Sequence, residues 1–198
     1  MLTSPRRVAA ILSPLACVLL LSTSAHAAPF TIHTTMLASN VVPPNASPAV
    51  GSADVTVDGD SLLMSLTWSG LTGGSATAGH LHCCAPPVSA GLLAITFPGF
   101  PLATSGSYTH MFDMTDPAIY VANFRNTLGG GTAAGAEAAL IAGMIGGLAY
   151  LDMPDAGFPT GEIRGQLGPV PEPATLTLVA LGLAGAAFGR SRRRESRP

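Results

Sequence analysis

Lysine is absent from the chain, and charged residues of all kinds make up only 10% of it. The positive charge that exists is arginine, gathered at the tips as Arg6 and Arg7 in front and Arg190, Arg192, Arg193, Arg194 and Arg197 behind. Between residues 28 and 168 only Arg125 and Arg164 stand against nine acids, a net charge of −7 with histidine neutral, while the whole chain carries −2. Nucleic-acid binding requires clustered Lys and Arg to displace counterions. The middle of the chain has no such cluster, so no nucleic-acid partner is expected. Cysteine is nearly as scarce. Of three, Cys17 lies in the front segment, and Cys83 and Cys84 are neighbours. A framework of disulfides is therefore excluded.

Long apolar runs are lacking too, and the two short ones have telling flanks. Behind Arg6 and Arg7, Val8 to Leu21 is apolar except for Ser13 and Pro14, and Ala25-His26-Ala27 follows with small residues at the positions a signal peptidase reads. This is the three-part pattern of a secretory signal peptide, expected to be cut after Ala27. The run is shorter than the ~20 residues a spanning helix needs. The second run, Ala174 to Gly189, sits between Val170-Pro171-Glu172-Pro173 and an arginine-rich tip. Arginines hold such an end on the cytoplasmic side. The prolines keep the preceding peptide extended, in a form a membrane protease can engage. At 16 residues with three glycines, 174–189 makes a marginal permanent anchor.

This order of Pro171-Glu172-Pro173, apolar run and basic tip resembles the PEP-CTERM sorting signal. The resemblance implies transient residence in the inner membrane through 174–189, cutting by an exosortase near the motif, and delivery to the cell surface or the extracellular matrix. The expected organisation is a signal peptide over 1–27, a domain over 28–168 and the sorting signal over 169–198.

The middle reads mainly as strands. Ala53 to Val57 alternates, turns at Asp58-Gly59-Asp60, and continues through Leu62 to Trp68, which predicts a hairpin. Further strands are expected at Phe30–Leu37, Thr77–His82, Leu92–Phe97, Ser107–Met114, Ala118–Phe124, Leu148–Leu151 and Glu162–Leu167. Ala134 to Ile145 is alanine-rich, has near-helical apolar spacing and is bounded by Gly131-Thr132 and Gly146-Gly147, so it predicts one short helix. Many short strands with one helix point to a mainly β sandwich or barrel.

Val42-Pro43-Pro44, Gly51, Trp68-Ser69-Gly70-Leu71, Thr77-Ala78-Gly79-His80-Leu81-His82 and Gly161-Glu162-Ile163-Arg164-Gly165-Gln166-Leu167 resemble the CHRD domain, named for chordin and also found in bacterial exported proteins. The resemblance covers about residues 30 to 167. It implies an immunoglobulin-like β-barrel distantly similar to copper/zinc superoxide dismutase. The family's Asn-x-His, in the strand before the Gly-Glu block, corresponds here to Tyr150-Leu151-Asp152-Met153-Pro154, where the histidine is missing.

Four groups bear on chemistry. His80 and His82 are two apart on an expected strand, so their side chains share a face about 6.5–7 Å apart along it. Such a pair holds copper or zinc when further ligands converge, and Cys84 would share that face. With no third histidine, no cofactor is the leading expectation, and a copper or zinc site is the alternative. Cys83 and Cys84 have three outcomes in an oxidising compartment: bridging each other, bridging another chain, or binding an ion. A vicinal disulfide, Cys83–Cys84, is favoured. Glu162 and Arg164 share a strand face and would pair with each other or grip Asp152 or Asp155. Gly59-Asp60-Ser61-Leu62 spells a lipase-like nucleophile block, but it follows a hairpin turn and no Asp-x-x-His partner comes later; a nucleophilic serine needs an oriented base. No catalytic residue is therefore assigned. The expected function is a non-enzymatic domain at the cell surface or in the matrix, meeting exopolysaccharide or other surface proteins, and processed by signal peptidase and exosortase. Copper or zinc binding is the alternative, and hydrolysis ranks below both.

Overall fold

In a computed structural model of the chain, residues 28–168 are described. The expected signal peptide, the Pro171-Glu172-Pro173 motif and the apolar run 174–189 lie outside them. Eight strands form one antiparallel sheet: β1 (Phe30–Leu37), β2 (Val50–Asp58), β3 (Ser61–Ser69), β4 (His80–Cys83), β5 (Leu92–Thr96), β6 (Gly106–Asp113), β7 (Ala149–Met153) and β8 (Ile163–Leu167). Their order across the sheet is β5-β4-β7-β8-β1-β2-β3-β6. Period-two alternation explains which face each strand buries. In β3, Leu62, Met64, Leu66 and Trp68 point inward while Leu63, Ser65 and Thr67 do not. The expected hairpin is present, with Asp58 paired to Ser61 across Gly59 and Asp60. Gly59 takes φ +55°, which favours glycine there.

Aromatic side chains curl the sheet on itself. Phe97, just past the edge strand β5, stacks on Tyr108 of the opposite edge strand β6 with ring centroids 5.4 Å apart. Phe100 stacks on Trp68 at 4.8 Å. A flat sheet of eight strands would hold its edges roughly 30 Å apart, given about 4.8 Å per strand. The edges meet only because the sheet coils, and the interior that this creates is one continuous apolar cluster. The mainly β, barrel-like architecture is thus the one the sequence predicts.

The expected helix is α2 (Ala133–Ile145), which buries Ala136, Leu140, Gly143 and Met144. Thr132 caps it by accepting a hydrogen bond from the Gly135 amide. A second helix occupies a stretch expected to be a strand. Residues 118–124 instead form a 3₁₀ turn, Pro117–Ile119, and the start of α1 (Ala122–Thr127). Asp116 accepts from the Ala118 amide, and Pro117 supplies a fixed φ at the first position. That Asp-Pro step is a helix-start signal stronger than the β propensity of Ile119, Tyr120 and Val121. Only one isolated bridge, Ile95 to Tyr120, links this segment to a strand. Strand β4 also begins later than expected, at His80, since Thr77 is tied by its amide to the Pro154 carbonyl. Among the described residues no helix is long and apolar enough to cross a membrane.

Candidate functional site

Strands β4, β7 and β8 lie side by side, and register decides what meets on their outer face. His80 pairs with Asp152 and His82 with Tyr150 across β4–β7. Asp152 pairs with Arg164 and Tyr150 with Gln166 across β7–β8. Leu81, Cys83, Leu151 and Met153 alternate into the core. Two rows of polar side chains therefore cross three strands: His80–Asp152–Arg164 and His82–Tyr150–Gln166.

The histidines converge on the carboxylate. His80 Nδ1 lies 3.3 Å from Asp152 Oδ1, and His82 Nε2 lies 3.4 Å from Asp152 Oδ2. The side chains are 20%, 15% and 8% exposed for His80, His82 and Asp152, so the cluster is largely desolvated yet reachable from solvent. Ligand atoms from all three lie within 4.8 Å of one another. Although within ion-pair range, His82 Nε2 and Asp152 Oδ1 are buried without a well-formed hydrogen bond. Charge-assisted N–H···O bonds run about 2.7–2.9 Å, and both contacts are longer.

Gly91 fixes the state of His82. Its carbonyl lies 3.1 Å from His82 Nδ1. A carbonyl only accepts, so Nδ1 carries a proton, and a neutral His82 presents the lone pair of Nε2 to Asp152. The Gly91 amide donates to the Tyr150 hydroxyl at 3.2 Å, and the Tyr150 ring stacks on His82 at 4.8 Å and 3°. Gly91 itself has no room for a side chain, as a Cβ would lie 2.8 Å from the Cys83 carbonyl oxygen.

Arg164 is Asp152's neighbour in register but does not neutralise it. Its guanidinium lies over the Tyr150 ring, 3.4 Å from the centroid, and donates to the Ser89 carbonyl and Gln166 Oε1. The charge balance of the cluster follows. Burial of the His82 ring is the largest single influence and opposes a positive charge. The nearby Asp152 carboxylate and the Gly91 carbonyl together outweigh it and hold the His82 pKa above its ordinary value. Burial likewise pushes the Asp152 carboxyl up, and the two facing imidazoles overcome it, so the pKa lies below the usual one.

The cysteines stand apart from this cluster. Cys83 and Cys84 form a vicinal disulfide with Cα atoms 3.3 Å apart. Strand alternation predicts Cys84 on the histidine face, but β4 ends at Cys83 and the disulfide carries both sulfurs to α2. A Cβ on Gly143 would lie 2.1 Å from Cys83 Sγ and 2.9 Å from Cys84 Sγ. Cys84 is therefore no partner of His80 and His82. His33 and His110 are also elsewhere: His33 pairs with Asp54 at 2.6 Å on the exposed face of β1–β2, and His110 lies on β6 beside Phe112.

Glu162 and Arg164 do not pair either. Glu162 faces a loop cluster, accepting from Thr72 N at 2.7 Å, Thr72 Oγ1 at 2.7 Å, Gly73 N at 3.1 Å and the Ser47 hydroxyl. Between the two, Ile163 enters the core. Gly165 has no room for a side chain, since a Cβ would meet Met36 at 2.8 Å and Thr34 at 3.0 Å. Within the Gly-Glu-Ile-Arg-Gly block, Glu162, Ile163, Arg164 and Gly165 are thus each held by structural contacts.

Sequence reasoning finds His80 and His82 but not Asp152, Tyr150 or Gly91 as their partners. Alternation within 149–153 does place Tyr150 and Asp152 on one face. What the sequence does not show is that β4 lies next to β7, some seventy positions away in the chain.

Residues 32–167 match the CHRD domain family. Residues 169–194 match the PEP-CTERM protein-sorting motif. No curated protein and no solved structure matches the chain.

Proposed function

Since the chain belongs to the CHRD domain family, we propose that it is an exported, exosortase-processed protein whose domain acts at the cell surface or in the extracellular matrix without catalysing a reaction. The observation that carries this reading is adjacency. The domain match ends at residue 167 and the sorting-motif match begins at 169. A folded module is thereby followed at once by an address. In this reading residues 1–27 are removed by signal peptidase, the apolar run 174–189 holds the precursor in the inner membrane, and an exosortase cuts near Pro171-Glu172-Pro173.

A binding or structural role for residues 28–168 is supported by how the motif residues are used. Glu162 is fully engaged by donors from two loops. Arg164 is held over Tyr150. Ser61 opens β3 opposite Asp58 and Asp113, without a histidine in register to act as its base. The acidic, lysine-free surface suits partners bound through hydroxyls, amides or metal ions better than polyanions.

Intact-mass spectrometry of surface protein from an exosortase-positive host tests the reading. The expected product starts at Ala28 and has lost the arginine tip, and Pro171→Ala with Glu172→Ala leaves the precursor in the membrane fraction. A surface species that retains residues 174–194 would overturn it.

A further inference from the structure

We propose that His80, His82 and Asp152 bind a single divalent transition-metal ion of the zinc or copper(II) class, with one coordination position left open to solvent. The proposal is independent of how the chain is sorted.

The geometry is that of a coordination shell. Two donors each about 2.0–2.1 Å from a tetrahedral zinc ion stand about 3.3–3.4 Å apart. The His80–Asp152 and His82–Asp152 contacts are 3.3 and 3.4 Å. They are too long for good charged hydrogen bonds and close to the separation of neighbouring donors around a zinc ion, and each runs to a different carboxylate oxygen. A small turn of the carboxylate would present one oxygen to a centre shared with both rings. One ligand atom from each of the three residues already lies within 4.8 Å of the other two.

The unmet valence points the same way. Asp152 is 6% exposed, and its Oδ1 has no hydrogen bond; neither does the buried Nε2 of His82. Buried polar atoms without partners are uncommon in folded proteins, and an ion is one of the recognised reasons for them. The adjacent cation that would satisfy Asp152, Arg164, is turned onto Tyr150 instead. Meanwhile the Gly91 carbonyl holds the proton of His82 on Nδ1 and leaves Nε2 as a donor pair. A metal-bound histidine is ordinarily fixed in this way, through its other nitrogen.

The donor set selects the metal. Calcium and magnesium take oxygen ligands almost exclusively, whereas imidazole suits zinc and copper. Three protein ligands with an open fourth position is the arrangement of a site that exchanges a ligand, unlike a closed structural site.

The full-length chain, solubilised in mild detergent, is stripped with chelator and titrated with zinc or copper(II) chloride by calorimetry. The expected result is one ion per chain, not displaced by millimolar calcium. Asp152→Asn and His82→Ala should each weaken binding by at least about 10-fold, the smaller end of what even an outer-shell change does. His33→Ala, at the exposed pair with Asp54, should leave it unchanged. Circular dichroism of each variant establishes that it is folded. The copper(II) form of the unaltered chain gives a second reading: its electron paramagnetic resonance spectrum should show coupling to two imidazole nitrogens. Binding that Asp152→Asn leaves intact, calcium displacement, or a copper spectrum without imidazole nitrogen would each overturn the proposal.

Discussion

Glu162 has no exposed surface, and its carboxylate ties two loops to the end of β8. Burial is the largest single influence on it and raises its pKa, but the donors from Asp155, Ser47 and Thr72 prevail and lower it from 4.5 to about 2. Asp155 shifts the other way, raised by its own burial and by Glu162. Of the two, Glu162 is the one that stays ionised. A carboxyl with a depressed folded-state pKa stabilises the fold above its unfolded value and loses that contribution as pH falls through the folded value. Asp155 contributes with opposite sign, favouring the fold at low pH, and offsets part of the loss. Unfolding free energy measured in urea should therefore decline between about pH 4.5 and 2, and less steeply in Glu162→Gln. At neutral pH that substitution should destabilise by about 1–3 kcal/mol, since it breaks charged hydrogen bonds and leaves donors unpaired. Gly91 offers a second test. Gly91→Ala drives a Cβ against the Cys83 carbonyl and moves the carbonyl that orients His82. Metal affinity should fall about 10–100-fold with every ligand still present, which calorimetry reads directly. His80 and His82 were legible in the sequence because strand alternation is a local rule. Asp152 was not, since its role comes from a pairing between distant strands and from Arg164 looking elsewhere.

At the scale of elements, α2 and β4 meet at the disulfide. Gly143 is the only residue type that fits there, because both sulfurs occupy the space of a side chain. Gly143→Ala should cost about 1–3 kcal/mol through overpacking. In a Cys83→Ser, Cys84→Ser background the same change should cost less, as unlinked hydroxyls leave more room. A double-mutant cycle of thermal or urea unfolding measures that coupling. The sequence revealed α2 through its caps and periodicity, yet 118–124 read as a strand. There the local choice was between the β propensity of Ile119, Tyr120 and Val121 and the capping chemistry of Asp116-Pro117, and capping prevailed because the segment lies beyond the sheet edge with one bridge to hold it extended. Propensity has force in a strand only where a neighbour supplies the ladder.

The whole molecule depends on closing the curl. Phe97 stands against Tyr108, Phe112 and Phe100 where the two ends of the strand order approach. Phe97→Ala should destabilise by about 3–5 kcal/mol, more than truncation of a residue within one ladder. Residues 28–168 produced alone should unfold cooperatively and give a β-dominated far-UV spectrum; a helix-dominated spectrum would contradict the fold. Strand number and class were readable from alternation and turns. The order of the strands was not, since no local feature of β4 announces that it lies between β5 and β7.

The placement of β8 has a mechanical consequence. β8 is an interior strand, antiparallel to β1, with Leu37 opposite Arg164 and Thr34 bonded to the Gln166 carbonyl. The chain therefore enters β1 and leaves β8 at the same pole of the barrel. A pull on the end of β8 directed along the strand loads its rungs to both neighbours together in shear, whereas a pull across the strand peels them one at a time. The loops knotted by Glu162, which carry Ser47, Thr72 and Gly73, occupy the opposite pole. The rung-bearing length of β8 thus separates the point where the chain leaves the sheet from the crown of loops at the other end.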